Sequence, residues 1–132
     1  MKRLNGRLAS CQRAISTLDE ILRMPVNVIV RDASIQRFEY SFESLWKLLR
    51  AYLDQHEGIV CHSPKRCFRE ALTAGLLSVK EAETCLIMTD DRNLTSHTYI
   101  EAIAEAIYRK LPSYQEVMNR LRANIQVRIE QE

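Results

Sequence analysis

Apolar positions near the start of the chain recur at a helical interval. Leu4, Leu8, Cys11, Ile15, Leu18 and Leu22 follow one another at alternating steps of four and three, which puts them on one narrow seam with Arg7, Arg13 and Asp19 off it. This predicts a helix over about residues 3–23, stopped by Pro25. Val28, Ile29 and Val30 suit either a short extended piece or the first turn of the next helix. A second stripe, Ile35, Phe38, Phe42, Leu45, Trp46, Leu49 and Leu53, predicts a long helix from about Asp32 to just before Gly58. Ser63 followed by Pro64 reads as an N-cap with proline at the first helical position. It opens a short helix with Cys67, Phe68, Ala71 and Leu72 inward, ended by Gly75. Three capping boxes then mark three helix starts. Ser78 and Glu81 open a helix to about Asp91, Thr98 and Glu101 open one that Pro112 stops, and Ser113 and Glu116 open the last. The expected fold is all-α, an antiparallel four-helix bundle with additional short helices, formed as one domain over residues 1–132.

Composition agrees with this reading. In 132 residues there are three Gly and three Pro, too few chain breaks for a many-turned β-sandwich. The longest unbroken apolar run is Cys85–Met88, far short of the ~20 residues a membrane-spanning helix needs, so no membrane association is expected. The net charge of +2 does not announce a nucleic-acid binder. It is unevenly spread, with 11 basic and 7 acidic residues in positions 1–66 against 8 and 10 in positions 67–132. The four cysteines, Cys11, Cys61, Cys67 and Cys85, form no Cys-x-x-Cys, and no histidine lies at zinc-finger spacing. No metal and no cofactor are expected. With no signal-peptide pattern at the start, the cysteines read as reduced thiols of a cytoplasmic protein, Cys61 being the candidate for a reactive one.

Chemistry-bearing side chains concentrate in three places. The densest is Asp90–Tyr99, where one predicted helix ends and another begins. Arg92 offers a permanent cation with a planar fork suited to phosphate. His97 can exchange a proton near neutral pH, and Tyr99 brings a phenol close to both. Together they could hold a phosphodiester and move protons around it. Ordinary helix-end chemistry explains the same residues, with Arg92 complementing a helix dipole and Thr98 capping. The second place is Gln36–Tyr40 with Glu43, where Gln36, Glu39 and Glu43 share a helix face and could orient the first site. Arg37 beside them is a candidate phosphate contact, as are Lys65 and Arg66 in the Ser63–Arg66 turn, whose two cations oppose the helix dipole. A solvated helix edge and a plain surface cap are the simpler accounts of these two places.

Taken in order, Ile35-Gln36-Arg37-Phe38-Glu39-Tyr40, Phe42-Glu43, Trp46-Lys47, Ser63-Pro64-Lys65 and Asp91-Arg92-Asn93-Leu94-Thr95-Ser96-His97-Thr98-Tyr99 resemble the nucleotidyltransferase substrate-binding family, a branch of the HEPN superfamily, over nearly the whole chain. The resemblance implies an antiparallel helical bundle that forms a homodimer and a partner that is a minimal nucleotidyltransferase. In toxin members of the superfamily, Arg-x4-His is a metal-independent ribonuclease site shared between two subunits, and the tyrosine two residues after the histidine receives AMP from the partner, which silences the toxin. Carried over, Arg92 and His97 would be catalytic, Asn93, Asp91 and Ser96 supporting, Tyr99 the modified residue, and RNA the substrate. The chain departs from the family pattern at Cys85, where tryptophan is frequent, and at Lys65, where arginine is usual. The alternative function under the same resemblance is a non-catalytic accessory subunit that presents a substrate to a nucleotidyltransferase. A structural helical adaptor is the third reading.

Overall fold

The protein is described by a computed structural model covering residues 2–131. Five α-helices make up almost all of it: α1 (Lys2–Leu22), α2 (Val28–Tyr52), α3 (Pro64–Thr73), α4 (Val79–Leu94) and α5 (Glu101–Glu130). A π-helical turn, Leu53–Glu57, ends α2, and a 3₁₀ turn, Thr95–His97, links α4 towards α5. No β-strand occurs among the described residues, and no helix among them is long and apolar enough to cross a membrane. The all-α helical bundle expected from periodicity is therefore the observed architecture.

The α1 seam packs inward as predicted, with Leu4, Cys11, Ile15 and Leu18 buried and Ile21 added to them. The ambiguous Val28–Val30 segment is the first turn of α2, because the Asn27 side chain caps it by accepting from the Val30 N–H at 2.8 Å. α1 and α2 form an antiparallel hairpin. α5 lies against both and runs alongside α2 in the same direction: Arg31 meets Glu101 near the two helix starts, Phe38 stacks on Tyr114 midway, and Glu57 approaches Arg128 near the ends. α4 runs antiparallel to α5, with Glu81 beside Arg120 and Asp91 beside Lys110. Phe38, Phe42, Phe68 and Tyr114 form a run of touching rings at the centre, so α2, α3 and α5 share one core. The Ser63 cap and the Ser78–Glu81 capping box both form.

Three expectations are corrected. Pro112 does not stop a helix, because it lies inside the 30-residue α5. An interior proline removes one hydrogen bond and costs ~3 kcal/mol in an isolated helix. Here Ala104, Ile107 and Leu111 before it and Tyr114, Val117 and Leu121 after it are buried in the same core, so packing holds the two halves as one element. The Ser113–Glu116 box is accordingly absent, and the Ser113 hydroxyl donates instead to the Lys110 carbonyl at 3.0 Å. The Thr98–Glu101 box is absent too. Thr98 donates to the Thr95 carbonyl, and Glu101 is drawn to Arg31, whose buried guanidinium gives it two hydrogen bonds at 2.7 and 3.0 Å. A fixed charge-assisted fork outcompetes a capping carboxylate, and it holds the Glu101 carboxyl below its ordinary range.

The third correction concerns cysteine. Cys61 and Cys67 are joined in a disulfide, with Cα atoms 5.5 Å apart. The Ser63–Pro64 turn folds the chain back so that the first turn of α3 faces the preceding loop, a separation a disulfide can span. Both residues are buried, so Cys61 is not an accessible thiol. Cys11 and Cys85 remain free and buried, and burial pushes each thiol up to about 12. Iodoacetamide at pH 8 is thus expected to leave the native protein unmodified, to label Cys11 and Cys85 on unfolding, and to reach Cys61 and Cys67 only after reduction. Mass spectrometry reads each step, and labelling of Cys11 or Cys85 in the folded state would contradict the burial argument.

Candidate functional site

α4 ends in a polar turn because its last side chains bond back to their own backbone. Thr95 donates to the Arg92 carbonyl at 2.7 Å, tightening the helix into the 3₁₀ turn that carries Ser96 and His97. The same hydroxyl accepts from Arg92 Nη1 at 3.1 Å, so one threonine fixes both the chain direction and the guanidinium. Glu43 and Glu39 of α2 close in from the other side, at 3.5 and 3.7 Å from Arg92 Nη2 and Nη1. The helix face singled out in α2 therefore does meet Arg92. The Arg92 Nε is buried without a hydrogen-bond partner.

Glu43 is itself held. The Trp46 indole N–H donates to its second oxygen at 2.6 Å, and the Arg50 guanidinium lies over the Trp46 ring at 4.8 Å. Neither Thr95 nor Trp46 stands out in the sequence as a site residue. Thr95 lies three residues from Arg92, a spacing that brings side chains together on a helix. Trp46 falls within the apolar stripe, where its N–H carries no sequence signal.

His97 and Tyr99 are both exposed, Tyr99 at 79%. Their rings meet edge to face with centroids 6.0 Å apart. Asn93 and Ser96 are exposed on the same stretch, bordered by the exposed apolar side chains of Leu94 and Ile100. Asp91 is different: it is buried and turned toward α5, accepting from Lys110 Nζ at 2.8 Å and from the Tyr114 hydroxyl. Burial, followed by the Asp91 hydrogen bond, pushes the Tyr114 phenol well above its ordinary range. Asp91 thereby fastens the end of α4 to α5.

Of the three candidate phosphate contacts, Lys65 and Arg66 are neighbours at the start of α3, and Arg37 lies elsewhere. Arg37 donates to the Thr17 carbonyl at 2.8 Å, on the α1 side of α2. Lys65 pairs with Asp90 at 2.6 Å, beside the motif helix, and Arg66 approaches Glu70 at 3.6 Å along α3. Among the described residues, no group of three or more His, Cys, Asp or Glu could hold a metal ion. The arrangement can present a fork-shaped cation, an imidazole and a phenol at one surface, with the cation oriented from two helices.

Residues 6–127 match the family model described as "Nucleotidyltransferase substrate binding protein like". A Haemophilus influenzae protein named "Probable ribonuclease HepT" is 32% identical over 85 residues, which cover 61% of this chain. The chain spans 57% of the length of that curated relative. A crystal structure from Thermus thermophilus matches with a TM-score of 0.85 and 45% identity, over 87% of this chain and 98% of that one. A Haemophilus influenzae structure, described as revealing the fold of a substrate binding domain of a nucleotidyltransferase, matches with a TM-score of 0.67 and 24% identity. That match covers 95% and 98% of the two chains and concerns the fold alone.

Proposed function

Because the chain belongs to the nucleotidyltransferase substrate binding protein-like family, we propose that it is a metal-independent endoribonuclease toxin of a two-gene module, acting as a homodimer and neutralised by a minimal nucleotidyltransferase that adds AMP to Tyr99. The observation that carries this reading is an Arg92 oriented near the end of α4, followed within seven residues by an exposed His97 and Tyr99 whose rings meet. The name of the Haemophilus influenzae relative supports the ribonuclease half of it.

His97 takes the proton from a ribose 2′-hydroxyl, and the resulting oxygen attacks the adjacent phosphorus. Arg92 stabilises the charge that builds on the phosphoryl oxygens. One chain supplies a single imidazole at this place, and the step needs an acid as well as a base. A two-fold dimer that pairs this surface with itself brings a second His97 to protonate the departing 5′-oxygen. The exposed Leu94 and Ile100 at the rim suit such a contact. The products are a 2′,3′-cyclic phosphate and a 5′-hydroxyl. Asn93 and Ser96 support the site from the same turn, and Asp91 supports it by anchoring α4.

A second reading has its own observation. The Arg92 guanidinium already faces two carboxylates, which suits a chain that presents itself or a substrate to a nucleotidyltransferase without cutting RNA. Induced expression separates the two readings. The chain alone is expected to arrest growth and fragment cellular RNA, and co-expression of the nucleotidyltransferase encoded beside it is expected to restore both. Unimpaired growth with intact RNA at high expression would leave the accessory reading standing.

A further inference from the structure

The seam between α1 and α2 carries positive charge that the proposed reaction does not use. Two adjoining hollows of about 300 and 370 Å³ lie along it, with Arg3 and Arg7 common to both. Arg3 and Arg7 stand one turn apart on α1, Lys47 and Arg50 about a turn apart on α2, so two antiparallel helices set four cations around one trough. Asp54 is the one carboxylate among its lining residues. Some of the other arginines are matched to carboxylates, Arg31 to three and Arg92 and Arg120 to two each. Among the described residues, Arg3, Arg7 and Lys47 have no such partner, and the Arg7 Nε is shielded from solvent without a hydrogen bond. Arg50 is held over Trp46, which fixes its position and leaves its charge intact. Like charges gathered around a concavity repel in the free protein and draw an anion into it.

Gly6 lies in this trough and has a helical backbone, so no turn requires it. A Cβ there would meet nothing within 4 Å, so packing does not require it either. Glycine inside a helix is destabilising relative to alanine. It lines the trough without adding a side chain to it, beside the small Ser10 and Ser44.

We propose that this trough holds the phosphodiester backbone of single-stranded RNA and feeds it to Arg92, an inference that rests on the ribonuclease reading. The two places are joined along α2: Glu43 faces Arg92, Trp46 holds Glu43, and Arg50 lies over Trp46 at the edge of the trough. Glu43 and Arg50 are separated by about 10 Å of helix rise, so a strand cut at Arg92 reaches the trough within a few nucleotides. Cations along a narrow groove follow a backbone without reading bases, so the trough adds affinity and length dependence rather than sequence preference.

The test uses the full chain and an RNA of about 12 nucleotides with 2′-O-methyl riboses, which lacks the attacking hydroxyl and stays intact. Binding is followed by fluorescence anisotropy as salt is varied. The Arg7→Gln/Lys47→Gln protein removes two cations and should flatten the slope of log affinity against log salt by about 1.4, at ~0.7 per contact on a single strand. Gly6→Glu adds an opposing charge at a position where a Cβ meets nothing within 4 Å and should weaken binding in the same direction, with unchanged circular dichroism. Towards an unmodified RNA of that length, both variants should raise KM and leave kcat and dinucleotide cleavage as in wild type. Unchanged salt slopes and KM values would overturn the trough. So would variants that bind RNA normally and no longer bind the nucleotidyltransferase, since the seam would then be a protein-docking surface. RNA binding that depends on the trough in a chain that never cuts RNA would instead remove the ribonuclease reading and leave the trough standing.

Discussion

RNA cleavage by the Arg92→Ala protein is expected to fall by about 100-fold or more, ~2.7 kcal/mol of lost transition-state stabilisation, while thermal unfolding stays close to wild type. The separation follows from where Arg92 sits. Its guanidinium is partly exposed, and its partners are the polar side chains of Glu39, Glu43 and Thr95. If Arg92 served only the dipole at the end of α4, its loss would cost ~0.3–1 kcal/mol of stability and spare activity. Arg92→Lys sharpens the test, since it keeps the charge and loses the two-pronged geometry. An intermediate rate would show that both matter. His97→Ala should match Arg92→Ala, because one removes the proton-transfer group and the other the charge-stabilising group of the same step. A folded variant of either kind cutting RNA at the wild-type rate would dismiss the substituted residue as a catalytic group.

Co-expression with the nucleotidyltransferase and ATP is expected to add one or more units of AMP mass to the wild-type chain at Tyr99, and none to Tyr99→Phe. At 79% exposure the phenol is open to another enzyme, and its ring lies beside that of His97. An attached phosphate, tethered two residues from His97, would occupy the position of the RNA phosphate near Arg92, so modification would block the site by direct competition. Phenylalanine keeps the ring and loses the acceptor oxygen. The Tyr99→Phe chain should therefore keep its RNA cleavage in the presence of the partner. If it is neutralised as fully as wild type, with no AMP on either chain, control comes from complex formation and Tyr99 is a surface aromatic of another kind.

What the sequence makes legible is whatever depends on neighbours within a turn or two. The alternating steps of α1, the Ser63 cap, the Ser78–Glu81 box and the shared face of Glu39 and Glu43 are all local, and all are found in the structure. What escapes depends on partners far along the chain. Glu101 reads as a capping residue, yet a guanidinium 70 positions earlier claims it. Asp91 reads as a neighbour of Arg92 in the site, and its partners prove to be Lys110 and Tyr114 on α5. Pro112 reads as a stop by every local rule, and burial on both sides of it overrides the rule. Trp46 is legible as apolar, while the hydrogen bond that makes it useful to Glu43 depends on a rotamer that periodicity does not encode.

The clasp around Arg31 has a consequence for the turn that carries His97 and Tyr99. Upstream, Thr95 is bonded to Arg92. Downstream, Glu101 and Glu105 are gripped by a guanidinium buried at the start of α2, which Asp32 also contacts. Between these two anchors only residues 96–100 are left, bridged by the Ile100 N–H bonded to the His97 carbonyl at 3.0 Å. So short a span has little backbone freedom left to lose, and ordering a backbone residue costs about 1–2 kcal/mol. Much of that entropy is surrendered when the chain folds instead of when a ligand arrives. An imidazole carried on a slack loop would have to be immobilised at each encounter, whereas this one begins each encounter with only its side-chain torsions to settle.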